Sequence, residues 1–214
     1  EAICRIRIHE ILGELEEVAV QSLDFGISTQ QYGQYGLSQT YIKLAEEHLA
    51  ILESKNPSLW VSRHIESLLA LLQNELYLQE MDRENLQEKL TLLNECLEKV
   101  PLTDREQPKI HELNIRASLV RMRLYHYWGD YRTSLTAIEC AVKELREDTP
   151  TELVGRVWLE YAIATKETTS LNQCLQVFRQ GRKHCPRNTA LLFSNLTHLS
   201  EKYSTINASI AMRY

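Results

Sequence analysis

Apolar residues recur every three or four positions along most of this chain, the spacing of amphipathic helices. Strand-like alternation is rare. Ile8, Ile11, Leu12, Leu15, Val18, Ala19 and Leu23 share one face of a first run from Ile3 to Phe25, and Gly26 is expected to end it. The polar, tyrosine-bearing stretch Ser28–Ser38 is read as the start of the next helix, which continues through Tyr41, Leu44, Ala45, Leu49 and Leu52. Lys55, Asn56 and Pro57 form a break, with Ser58 as N-cap of a third helix carrying Trp60, Val61, Ile65, Leu68, Leu69, Leu72, Leu76 and Tyr77. Asp82 caps a fourth, lined by Leu86, Leu90, Leu93, Cys96, Leu97 and Val100, which Pro101 stops. A fifth becomes regular near Gln107, because Pro108 is tolerated only in a first turn. Trp128, Gly129, Asp130 and Tyr131 form the turn into a sixth, with Leu135, Ile138, Ala141, Val142 and Leu145. After a linker at Glu147–Thr151, the stripe Val154, Val157, Trp158, Tyr161 and Ala162 marks another helix. Polar Thr165–Ser170 interrupts it. Leu171, Cys174, Leu175, Phe178 and Gly181 mark the next, ended by Cys185 and Pro186. A further unit begins near Asn188 and runs to Tyr203, with a short last helix over Thr205–Tyr214.

None of these helices can bury its stripe alone, so neighbouring hairpins must stack. The unit from Val154 to Asn188 resembles a tetratricopeptide repeat, with Trp158, Ala162, Cys174, Phe178, Gly181 and Pro186 at matching places. The Trp158–Tyr161 pair is also similar to half-a-TPR repeats, and the Gly129-Asp130-Tyr131 turn is of a kind the family places between its two helices. The resemblance is best over residues 113–203. The prolines Pro57, Pro101, Pro150 and Pro186 are read as ending successive units, each longer than the roughly 34 residues of the regular repeat. The expected fold is all-α: one alpha-solenoid domain over 1–214, of about five antiparallel hairpins in a TPR-like superhelix with long, irregular repeats. Because it starts at Glu1, the chain is read as a fragment of a larger one.

Composition narrows the partner. Hydrophobic residues make up 43%, enough for an extended core, and the formal charge of −5 disfavours nucleic acid or an anionic membrane as the main target. No run approaches the roughly 18 apolar residues of a spanning helix. Five widely spaced cysteines fit small buried hydrophobes better than a disulfide framework, with Cys96, Cys140 and Cys174 on apolar faces. His9-Glu10, His111-Glu112 and His184-Cys185 lack a second ligand pair at metal-binding spacing, and no phosphate loop or nucleophile turn is present. No metal, cofactor or catalysis is therefore expected.

The resemblance implies a protein-binding scaffold, a subunit of a hetero-complex in cytoplasm or nucleus that holds a peptide or another subunit. Its concave face would carry Asn74, Tyr77, Asn114, Arg121, Glu160 and Thr165. The side chains chosen as protein-binding are Trp128, Tyr131, Arg121, Arg123, Arg132, Tyr35, Arg182 and Lys183. Aromatic anchors beside arginines suit an acidic or phosphorylated partner. Two alternatives stand beside this reading: a regulatory or substrate-positioning arm of a larger enzyme, and an RNA-contacting scaffold of half-a-TPR type. Trp60 and Trp158 are expected in the core.

Overall fold

A computed structural model describes residues 1–78, 82–101, 103–104, 107–169 and 171–184. The expectations for Pro186 and for the unit beyond Asn188 lie outside them, as do the side chains of Ser58 and Phe178. Among the described residues all regular structure is helical: α1 (Ala2–Leu12), α2 (Leu15–Gln31), α3 (Tyr35–Lys55), α4 (Pro57–Leu78), α5 (Arg83–Lys99), α6 (Pro108–Tyr127), α7 (Tyr131–Lys143), α8 (Thr151–Thr168) and α9 (Leu171–His184). Among the described residues, α1 to α5 pack on their neighbours in sequence, and so do α7 to α9, as helical hairpins do. The chain divides into two compact units, residues 1–120 and 121–214.

The first unit is built on α2, α3 and α4. Ala19, Leu23, Ile42, Ala45, Leu49, Leu52, Ala70 and Leu71 form one buried cluster, with Trp60 half-buried against it. Gly26 lies inside α2 rather than at its end. A methyl group there would stand 2.4 Å from Ile42 Cγ1, so the glycine lets α2 and α3 approach closely. A polar chain crosses the same contact. Ser38 Oγ donates to the Gly26 carbonyl at 2.7 Å, Asn74 Nδ2 donates to Ser38 Oγ at 2.9 Å, and Gln30 Nε2 donates to Asn74 Oδ1 at 2.8 Å. Asn74 is fully buried by this and does not line an open face.

The break expected at Gly26 occurs at Gly13, whose φ of 73° caps α1. The single run therefore becomes two helices. Only Ile6 of α1 is buried, and Ile8, Ile11 and Leu12 are exposed instead of continuing the α2 stripe. A second turn, at Gly33, separates α2 from α3, so Ser28–Ser38 is not one helix start. Asp82 does cap α5, accepting from the Glu84 amide at 3.1 Å. Pro57 opens α4, and Pro150 is the N-cap residue of α8. These two prolines start helices rather than end them, which fits a residue with fixed φ and no amide hydrogen to place.

In the second unit α7, α8 and α9 pack in order. Asp130 accepts from the Thr133 amide at 3.1 Å and from Thr133 Oγ1 at 2.7 Å, so the turn at Gly129, with φ 77°, leads directly into α7. Ser134 Oγ donates to the Met122 carbonyl at 2.9 Å, tying α7 to the last turns of α6. Trp158 is buried, as expected, and Gly181 sits against it: an added methyl group would meet Trp158 Cβ at 2.9 Å. α8 runs unbroken to Thr168, well into the polar stretch read as its end. Cys174 is buried, but Cys140 is exposed.

Candidate functional site

The end of α6 and the start of α7 bring several aromatic side chains to one turn. Tyr127 and Tyr131 are 57% and 40% exposed, which sets them apart from buried Trp158 of α8. Trp128 is half-buried and packs edge-on to Tyr125 at 5.4 Å, and His126 packs edge-on to Tyr131 at 5.1 Å. Arg132 is exposed on the first turn of α7. Arg123 is committed inward, its Nε donating to Glu160 Oε1 at 2.7 Å, so it holds α6 to α8. Arg121 is half-buried, and burial pushes its pKa below the ordinary value. Arg182 and Lys183 are exposed on the last turn of α9.

Tyr35 belongs to the first unit. Its ring stacks on Tyr77 with centroids 4.5 Å apart and planes 11° from parallel, and Tyr77 is half-exposed. Of the residues assigned to a concave face, Asn74, Glu160 and Thr165 are buried. Their polar groups bond inside the unit that holds them: Asn74 to Ser38, Glu160 to Arg123, and Thr165 Oγ1 to the Tyr161 carbonyl at 2.6 Å. These polar residues, read as lining a concave face, are turned inward: Asn74 and Glu160 bridge helices, and Thr165 bonds back within α8.

A second cluster was not foreseen. At the corner where α3 ends and α4 begins, Glu53, His64 and Cys96 are all buried. Glu53 follows Leu52 on the buried stripe of α3, His64 lies in the second turn of α4, and Cys96 in the last turn of α5. His64 Nδ1 is hydrogen-bonded to Glu53 Oε2. Cys96 Sγ stands 3.7 Å from both of those atoms. Lys99 Nζ donates to the other Glu53 oxygen, Oε1, at 2.7 Å, and the Lys99 side chain is half-exposed. His64 Nε2 faces Glu46 Oε1 at 3.6 Å, beyond hydrogen-bond reach.

Burial opposes a charge on His64, but its contacts with Cys96, Glu46 and Glu53 outweigh burial and raise its pKa to about 10. Burial likewise pushes the Glu53 carboxyl up, and the hydrogen bonds from Lys99 and His64 more than reverse that, leaving it below its ordinary value. The Glu53 hydrogen bond raises Lys99. Three polar side chains inside a helical core need such mutual partners to be tolerated. The sequence signal was weak but real: Glu53, His64 and Cys96 each occupy an apolar stripe of a different successive helix.

No family model matches the chain, and no solved structure matches it. A TPR-containing protein of Dictyostelium discoideum is 29% identical to it over 101 residues, which is 47% of this chain and 8% of that protein. The chain thus corresponds to a small part of that relative's length. Over part of its own length it is similar to a TPR-containing protein, and all regular structure among its described residues is helical, as in such repeats.

Proposed function

We propose that this chain is a non-catalytic protein-interaction scaffold, a TPR-like subunit that holds a partner protein or peptide within a larger complex. The exposed aromatic turn between α6 and α7 carries the reading. Tyr127 and Tyr131 stand exposed there, beside half-buried Trp128 and exposed Arg132. Tyrosine, tryptophan and arginine supply rigid contact area and bidentate hydrogen bonds at low entropic cost, the composition of interface anchors. The similarity to a TPR-containing protein supports a protein as the partner. Arg132 suits a carboxylate or phosphate group on that partner, and a cytoplasmic or nuclear complex is the setting the family resemblance implies.

The test is affinity purification of the full-length protein, compared with a Trp128→Ala/Arg132→Glu variant. The expected result is loss of one specific protein partner with helical content preserved. An unchanged partner set would assign the turn a purely structural role. Recovery of mainly ribonuclease-sensitive RNA would replace the reading with an RNA scaffold.

A further inference from the structure

We infer that Glu53, His64 and Cys96 form a binding site for a zinc-like divalent metal ion, supplied by three successive helices and independent of the scaffold surface. The donors are a carboxylate oxygen, an imidazole nitrogen and a thiol sulfur, the three ligand types zinc accepts together. Their ligand atoms all lie within 4.8 Å of one another, and all three side chains are buried. Bond lengths of about 2.3 Å to sulfur and about 2.0–2.1 Å to nitrogen or oxygen place sulfur about 3.6 Å from either neighbour in a tetrahedral site. The Sγ distances to His64 Nδ1 and Glu53 Oε2 are both 3.7 Å, so two of the three edges are already set. The third, between Nδ1 and Oε2, is closed by a hydrogen bond and has to open to about 3.3 Å around the metal.

The surroundings are those of a ligand site. His64 Nε2 is buried without a hydrogen-bond partner and faces Glu46 Oε1 at 3.6 Å. A ligating histidine characteristically turns its other ring nitrogen toward such a carboxylate, which fixes the ring and favours the free Nδ1. Lys99 holds Glu53 through Oε1 and leaves Oε2 to the cluster. The metal takes the place of the proton shared by Nδ1 and Oε2, and the Cys96 thiol gives up its own proton to ligate as thiolate. Three protein donors leave a fourth position, which zinc fills with water. Of the four side chains, only Lys99 reaches solvent, where it is half-exposed. Spacing along the chain hid this arrangement, because no two of the ligands share a helix. It departs from the expectation of no metal drawn from the sequence.

The test uses Co2+ and Zn2+ alone with the full chain, prepared metal-free and without a histidine tag. Co2+ is expected to bind one equivalent per chain. It should give a thiolate-to-cobalt charge-transfer band together with the intense visible bands of a tetrahedral ion. Zn2+ should abolish both and raise the melting temperature. Cys96→Ser should lose the charge-transfer band. Because that variant can fail through folding, a converse variant carries Cys4→Ser, Cys140→Ser, Cys174→Ala and Cys185→Ala, with Cys96 as the remaining thiol. It must keep the band and the Zn2+-dependent rise in melting temperature. Absence of a saturable band in the wild type would overturn the inference. So would its loss in the converse variant with helical content intact, or its survival in Cys96→Ser.

Discussion

Trp158 and Gly181 are read together, because each is explained by the other. The indole is 6% exposed and stacks on His184 at 5.2 Å, while Gly181 passes close enough that a methyl group would meet Trp158 Cβ at 2.9 Å. Trp158→Ala should therefore cost about 3–5 kcal/mol, the range for large aromatic truncations in a core. Gly181→Ala should cost about 1–3 kcal/mol by overpacking, since Cβ of Trp158 cannot swing away. Denaturant melts of the two variants check both. An unchanged midpoint for Trp158→Ala would mean the indole does not hold α8 to α9. Trp158 was legible from its place on a periodic stripe. His64 was not, because a ligand or ion-pair partner on another helix leaves no mark on linear spacing. The clue was that Glu53 and His64 stand where an apolar side chain is expected, and a buried charge implies a partner.

At the level of whole helices, the apolar period was readable and the punctuation was not. Gly13 and Gly26 are both glycines near a stripe, yet one adopts φ 73° to end α1 and the other stays helical to admit Ile42. Only the neighbour decides between these uses, and the neighbour is distant in sequence. Proline was ambiguous in the same way. It interrupts a helix when internal but is well placed in a first turn, so Pro57 and Pro150 signal starts as readily as stops. Side-chain caps were a mixed signal. Asp82, named as an N-cap, does cap α5, and Asp130, expected only as part of a turn, caps α7, whereas Ser58, the other named N-cap, falls inside α4. Asp130→Ala should destabilise α7 by about 0.5–2 kcal/mol, the usual value of an N-cap side chain. Because Asp130 is exposed, Asp130→Asn should restore most of that loss in the same urea titration. Equal losses in the two variants would point to the charge rather than the cap.

Across the molecule, stability in stacked hairpins is carried by each hairpin and its immediate neighbours, so damage stays near its source. The first unit rests on the α2–α4 cluster and on the Gln30–Asn74–Ser38 chain, and the second on Trp158, Val177 and the Arg123–Glu160 bridge. These are separate sets of residues within separately compact units. Native-state hydrogen exchange on Trp158→Ala should therefore show faster exchange for amides of α7, α8 and α9. The amides of Leu23, Ile42, Leu49 and Leu71 should keep wild-type protection. Opening free energies differ from region to region in just this sense, running from near zero at frayed ends to the global value in a core. A uniform loss of protection across α2–α4 and α7–α9 would instead mean that the two units unfold as one cooperative body.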